Sequence, residues 1–143
     1  MNRILGMSFL ILGCLSAFGT TRMLVDRVQV TPTNATNHTL LLSYGQTNDL
    51  FTLIMPSTKE DYSFNSASLT YSNAVRQFRI PIRGSTIKGT EGKDDIVLIY
   101  FWMDRETARD CRLTVSFSEG SKGTDYNFNL KDFLAMEEKS SGK

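Results

Sequence analysis

Residues 96–103, with the sequence IVLIYFWM, decide the fold class. Side chains alternate between the two faces of a strand, and here both alternating sets are apolar. Val97 and Phe101 belong to one set, and Tyr100 and Trp102 belong to the other. A strand that is apolar on both faces is typical of a covered sheet. We therefore predict a central strand with both faces covered, in which the indole N–H of Trp102 finds a partner at the sheet surface.

On both sides of this run, apolar residues recur at every second position, which is the pattern of strands with one buried face. Pro81 lies within one of these strands and indicates a sheet edge, because proline has no N–H to donate to a neighbouring strand. The pattern predicts an all-β fold, an antiparallel β-sandwich or closed barrel of about seven to eight strands. The alternating runs are residues 28–30, 40–44, 51–55, 69–71, 78–82, 111–117 and 126–128.

The C-terminal end departs from the strand pattern. Asn129 is suited to cap a short helix that would place Leu130, Phe133 and Leu134 on one side. Because the sequence has no internal repeat and no linker rich in Pro, Gly or Ser, residues 20–138 are predicted to form a single domain. Residues 139–143 are predicted to form a disordered tail.

Residues 1–19 have the pattern of a signal peptide. Arg3 precedes an apolar run of about 15 residues, which is shorter than the roughly 20 that span a membrane as a helix. Small residues lie at positions 17 and 19, so we predict cleavage after Gly19 and a secreted or extracytoplasmic protein, placed in the periplasm or cell envelope of a bacterial host. The alternatives are an uncleaved anchor and an N-terminal helix buried in the fold.

The same segment allows a second interpretation, because residues 11–14, ILGC, resemble a bacterial lipobox. Cys14 would then be acylated and would become the first residue of an envelope-anchored lipoprotein. Acyl chains hold a domain at a membrane surface without spanning the membrane. This lipid anchor is the membrane contact that the alternative predicts.

The composition excludes several classes of protein. The chain has 143 residues, the size of one domain, with 16 Lys and Arg against 15 Asp and Glu. Such a balance gives no basic field for a nucleic acid, so no nucleic-acid partner is predicted. Cleavage after Gly19 would leave Cys111 as the one cysteine, which excludes an internal disulfide. We predict that Cys111 is a buried apolar residue, with an intermolecular disulfide as the alternative.

The parts needed for catalysis are scarce in this sequence. His38 is the single histidine and lies in the polar segment 34–39, where we predict a solvated side chain. Nucleophile, phosphate-loop and zinc motifs are absent from the sequence, so no enzyme and no cofactor are predicted. A hydrolase that uses two carboxylates remains the alternative, because it needs only a pair of acids in a cleft.

Two acidic segments contain oxygen ligands of the kind that Ca²⁺ prefers. Neither has the residue order of a dedicated calcium loop, and Lys93 and Arg105 lie among the acids. We interpret both as ordinary charged turns and predict no metal site. The acids are Glu91, Asp94 and Asp95 in the first segment and Asp104, Glu106 and Asp110 in the second.

The candidate binding residues lie on and after the strand that contains Pro81. Gln77, Arg79 and Arg83 are predicted to share one face of this edge strand, and Lys88 follows it. Arginines four positions apart on a strand lie about 13 Å apart, which suits a row of acidic groups, a glycan sulfate or a partner surface. The alternative is that these charges prevent the edge from pairing with another sheet.

Two glycosylation sequons lie side by side, at Asn34-Ala35-Thr36 and Asn37-His38-Thr39. In a eukaryotic or viral secreted protein, Asn34 and Asn37 are predicted to carry glycans. In a bacterial protein they are ordinary turn residues.

Residues 107–111 and 118–121 resemble an immunoglobulin-type strand. The resemblance lacks its defining residues, since no second cysteine pairs with Cys111 in the mature chain and Trp102 lies only nine positions before Cys111. No family is assigned.

The sequence favours an exported, non-enzymatic binding or accessory protein that recognises a protein or glycan partner through an edge strand and turns. The alternative function is a carrier of a small apolar ligand, with an aromatic-lined cavity inside the fold. The aromatic residues proposed for that lining are Phe101, Trp102, Phe117 and Phe128.

Overall fold

The computed structural model describes residues 24–35, 38–72 and 77–142. The predicted signal peptide of residues 1–19, Cys14 and Asn37 lie outside these residues, so their interpretations stay predictions. The described part contains ten strands and two helices. These are β1 Leu24–Val30, β2 Thr39–Ser43, β3 Asp49–Pro56, β4 Thr58–Lys59, β5 Tyr62–Ser72, β6 Gln77–Ile82, β7 Gly84–Ile87, β8 Ile96–Met103, α1 Arg105–Arg109, β9 Cys111–Glu119, β10 Lys122–Asn129 and α2 Leu130–Ser141.

The strands form two sheets. Sheet A has the order β1-β10-β9-β5, and both β4 and β6 pair with β5. Sheet B has the order β2-β3-β8-β7. The pairs in both sheets are antiparallel except for β1 and β10, which run parallel and place Val25 opposite Gly123. The prediction of a mostly β protein with a short C-terminal helix is therefore confirmed.

The described strands number ten rather than the predicted seven to eight, and two short strands explain most of the difference. β4 has only two residues, too few to show an alternating pattern. β7 begins at Gly84 and has only four residues, so its pattern is also too short to be recognised. Arg83 alone separates β6 from β7, so the chain crosses from sheet A to sheet B at this residue. A Cβ atom at position 84 would lie 2.6 Å from Cζ of Phe64, so a larger residue at the crossing would force the Phe64 ring to move.

One hydrophobic core contains buried side chains from both sheets, and it is built from the alternate side chains that the sequence pattern predicts. Burying a side chain of this size contributes roughly 1.5–3 kcal/mol to folding, so the core is the main source of stability. The largest fully buried side chains are Phe51, Phe117, Phe128, Leu53, Met55, Leu69, Ile99, Leu113, Leu130, Leu134, Val30 and Val97.

Strand β8 differs from its prediction. It lies in the interior of sheet B, between β3 and β7, as a central strand should. Val97 and Phe101 face the core and are buried. Tyr100 and Trp102 point to the other side, where they are 54% and 60% exposed. The prediction that both faces are covered is therefore wrong at Tyr100 and Trp102, whereas Ile96 and Leu98 on the same face are half-buried.

Helix α2 follows β10 directly. Asn129 precedes the helix as predicted, although its side chain makes no capping hydrogen bond. Leu130 and Leu134 are buried and Phe133 packs against the core. The helix continues through Ser141, so residues 139–141, which were predicted to belong to a disordered tail, are helical.

Candidate functional site

The four predicted binding residues do not form one row. Gln77 and Arg79 are exposed on β6, which pairs only with β5 among the described strands and is therefore an edge, as Pro81 indicated. Arg83 lies beyond the end of β6, where the chain crosses between the sheets, and Lys88 follows β7. The prediction that Arg79 and Arg83 share one strand face is wrong, because β6 ends at Ile82.

The structure brings Arg79 together with Arg27 and Arg112, which were not among the predicted binding residues. On the side of sheet A that faces away from the core lies a polar groove of about 200 Å³. We call it the arginine groove. It is lined by the side chains of Arg27, Arg79 and Arg112 and by those of Thr70, Thr114, Asp125 and Asn127.

Strand register explains how these residues meet. Arg112 on β9 lies opposite Thr70 on β5, and Thr70 lies opposite Arg79 on β6. Adjacent strands are about 4.8 Å apart, so the Cα atoms of Arg112 and Arg79 lie about 10 Å from each other across the sheet. Arg27 enters from β1, opposite Asp125 on β10. The alternation marks each arginine as outward-facing, but only the register shows that they are neighbours.

The arginines of the groove are available to a ligand. Nε of Arg79 donates a hydrogen bond to Oγ of Ser68 at 3.0 Å. The one carboxylate of the groove, Asp125, accepts a hydrogen bond from Oγ of Ser116 at 2.6 Å. Among the described residues, none of the three guanidinium groups forms an ion pair. Groups of this kind bind sulfate, phosphate or carboxylate oxygens through charge-assisted hydrogen bonds.

The outward side of sheet B differs in chemistry from the arginine groove. The outward side chains of sheet B form a surface without a charged residue, which we call the apolar face. Tyr100 and Trp102 are its most exposed aromatic residues, and Leu41, two strands away on β2, is 50% exposed. Exposed apolar surfaces of this kind mark interaction sites in many proteins. The larger side chains of the apolar face are Leu41, Leu50, Ile54, Ile87, Ile96, Leu98, Tyr100 and Trp102.

Charged side chains at one end of the molecule bind one another. Nε of Arg105 lies 3.1 Å from Oδ2 of Asp49, and its guanidinium carbon lies 4.7 Å from the ring centroid of Tyr44. Nη2 of Arg109 lies 2.6 Å from Oε1 of Glu138. These contacts attach α1 and α2 to the start of β3, so we assign this cluster to the fold.

His38 is not the solvated turn residue that the sequence predicts. Its ring centroid lies 5.5 Å from that of Tyr126 and 5.9 Å from that of Phe128. Both ring nitrogens are buried without a hydrogen-bond partner in the described part of the chain. Burial, and then the nearby charge of Lys59, lowers the pKa of His38 from 6.5 to about 4. The neighbouring sequence is polar, and the burial comes from β10, which is distant in the chain.

Cys111 is buried, as predicted, and its Sγ atom lies 3.6 Å from Sδ of Met103. Burial, and then the negative charges of Asp110 and Asp104, raises the pKa of Cys111 to about 11. A thiol in this environment is a poor nucleophile and is poorly placed for an intermolecular disulfide.

Iodoacetamide is expected to alkylate Cys111 at least about 100-fold more slowly at pH 8 in the folded protein than in urea, because the folded thiol is both protonated and covered. Mass spectrometry of the peptide that contains Cys111 measures the rate separately from any reaction at Cys14. Equal rates in the two solvents would show that the thiol is accessible.

The acidic segments are also engaged in local structure. Oδ1 of Asp95 accepts a hydrogen bond from the N–H of Gly89, and Oδ1 of Asp104 accepts one from the N–H of Thr107 at the start of α1. In residues 24–35, 38–72 and 77–142, no group of three or more His, Cys, Asp or Glu side chains is placed to hold a metal ion. Across the same ranges, no helix combines the length and apolar character needed to cross a membrane.

Asn34 lies in the turn after β1. Its Oδ1 accepts a hydrogen bond from the N–H of Thr31 at 2.7 Å, and its Nδ2 donates one to the carbonyl oxygen of Gln29 at 3.2 Å. The side chain therefore stabilises the turn, and its glycosylation stays a prediction.

The aromatic residues proposed to line a carrier cavity do not surround one space. Phe101, Phe117 and Phe128 are buried in the core, and Trp102 is on the apolar face. The ring of Phe101 stacks on Phe51 with centroids 5.1 Å apart. Core packing accounts for the three phenylalanine rings, and the carrier function stays an untested alternative.

The chain was compared with protein-family models, with curated proteins and with solved structures, and none matches it.

Proposed function

We propose that this protein is an exported, non-enzymatic binding protein that recognises another macromolecule through the arginine groove. We also propose that the two sheets are the layers of a β-sandwich, which presents the groove on a rigid sheet. The observation that carries the binding proposal is the convergence of Arg27, Arg79 and Arg112 with no ion pair among the described residues.

The chemistry of the groove favours an acidic partner, and a sulfated glycan in particular. The surface is made of guanidinium, hydroxyl and amide groups, whereas the centre of a typical protein interface is apolar. A sulfate group accepts several hydrogen bonds at once, and arginines about 10 Å apart can contact successive acidic groups of one chain. Cleavage after Gly19 would remove Arg3 from the 16 basic residues and leave 15 against 15 acidic residues, so attraction would depend on this local patch.

Binding to heparin, used as a sulfated probe, is expected to weaken at least about 100-fold in the double variant Arg79→Glu plus Arg112→Glu, since each lost charge-assisted contact contributes about 1.5–3 kcal/mol. Titration calorimetry at low salt measures the affinity, which should also fall as salt is added.

The matched control for this experiment is Lys131→Glu plus Lys139→Glu. Both lysines are exposed on α2 and the charge change is the same. The control is expected to bind as the wild type does, and both variants should melt within a few degrees of it. Equal affinity of the groove variant and the wild type for heparin would show that the arginine groove is not the binding site. Gln77, Arg83 and Lys88 lie outside the groove lining, and their part in binding stays a prediction.

A further inference from the structure

We propose that two copies of this chain associate by pairing their β2 strands edge to edge, in antiparallel orientation, across a two-fold axis. The contact concerns sheet B and does not depend on the arginine groove. It would join sheet B of one copy to sheet B of the other and form one continuous sheet of eight strands.

The first argument is that β2 lacks the features that keep other edges from pairing. Edge strands normally carry charges or proline, which discourage a second sheet from adding. β6 carries Arg79 and Pro81, and β1 carries two charges at positions 26 and 27. β2 has the sequence TLLLS, which contains no charged residue, and the pKa of the preceding His38 is lowered to about 4, so this side chain is neutral at pH 7. β7, the other edge of sheet B, is shorter and lies between Arg83 and Lys88.

The second argument is that a largely apolar surface lies beside the edge of β2, which pairs only with β3 among the described strands. A groove of about 290 Å³ follows β2, lined by the three consecutive residues Leu40, Leu41 and Leu42. Consecutive residues point to opposite faces of a strand, so a groove that touches all three runs along the backbone edge. Met136 of α2 forms part of the opposite wall and is 59% exposed.

The third argument selects a second copy as the occupant. In an antiparallel pair of β2 strands centred on Leu41, this leucine lies opposite Leu41 of the second copy. Leu40 then lies opposite Leu42, and Thr39 lies opposite Ser43. Every facing pair of β2 residues matches leucine with leucine or hydroxyl with hydroxyl, so the strand pair itself contains no charged residue. Two-fold contacts of this kind, in which the same patch is used twice, are the commonest in protein dimers.

The register of this contact can be tested by disulfide formation in a Cys14→Ser background, where the remaining native thiol, Cys111, is buried. Directly opposed residues of an antiparallel pair have Cβ atoms about 4.5–5.5 Å apart, close to disulfide range. Leu41→Cys is therefore expected to give a covalent dimer on mild oxidation. Thr39→Cys is the matched control, because its exposed side chain would lie about 14 Å from its own counterpart.

A small contact predicts a weak dimer, so sedimentation velocity at about 100 µM is the second measurement. Wild type is expected to contain dimer, and Leu41→Lys is expected to be monomeric with an unchanged circular dichroism spectrum. Ile80→Lys, at a comparably exposed position on the β6 edge, should leave the dimer intact. Monomeric wild type, equal cross-linking of the two cysteine variants, or a dimer that persists in Leu41→Lys would each overturn the proposal.

Discussion

Phe128→Ala is expected to lower the free energy of unfolding by about 3–5 kcal/mol, a large part of the roughly 5–15 kcal/mol that holds a typical domain together. Phe128 is fully buried on β10, and its ring lies 5.9 Å from the ring centroids of both His38 and Phe133. It therefore joins sheet A to the connection before β2 and to helix α2. Removing it would leave a cavity where three elements meet.

The change in stability is measured by urea denaturation. It is calculated from the shift in the urea concentration at half unfolding, provided that the slope of the unfolding free energy against urea concentration is unchanged. Phe78→Ala is the matched control, since Phe78 is 37% exposed on the edge strand β6 and stacks on Tyr71 alone in the described part. We expect it to cost about 1 kcal/mol, the size of a partly exposed aromatic pair. Equal losses in the two variants would show that the Phe128 position collapses around the missing ring.

Acidification from pH 7 to pH 4 is expected to reduce stability through His38. Desolvation lowers the pKa of the folded side chain to about 4, below its ordinary value of 6.5. The unfolded chain therefore binds more protons between these two values, and folding becomes less favourable as the pH falls through that window. Because His38 is only half-buried, we expect a loss of about 1–2 kcal/mol rather than the full equivalent of the shift.

His38→Phe isolates this effect from the titration of the carboxylates. The substituted ring keeps the contacts with Tyr126 and Phe128 and has no nitrogen to protonate. The free energy of unfolding is measured by urea denaturation at pH 7, 5.5 and 4. As the pH falls, the variant is expected to lose less of this free energy than the wild type. If the free energies of unfolding of the variant and the wild type change equally with pH, the prediction is wrong and His38 does not contribute to the pH dependence.

The strands were predictable from the sequence because alternation depends on local residues alone. Every alternating run, from residues 28–30 to residues 126–128, includes residues of a strand, and Pro81 marked β6 as an edge. β4 is too short to show a period, and Gly84 begins a strand where glycine usually indicates a turn. The parallel pairing of β1 with β10 depends on distant residues, and local alternation carries no information about it.

The surfaces were less predictable than the strands. The alternation in β8 identified two apolar faces, but it cannot say whether this chain covers both of them, and Trp102 is exposed. Arg79 was recognised on its own strand, whereas Arg27 and Arg112 become its neighbours only through strand register. His38 was misjudged because its local sequence is polar, while Tyr126 and Phe128 approach it from β10.

Strand β1 pairs only with β10 in the described part, which joins residue 24 to residue 122. At roughly 5–20 residues per second of synthesis, β1 leaves the ribosome about 5–20 s before its partner exists. Contacts between such distant residues also slow folding, because a long loop must close first. We therefore expect β1 to be among the last of the described strands to pair, and a chain truncated before β10 would lack the one described strand with which β1 pairs.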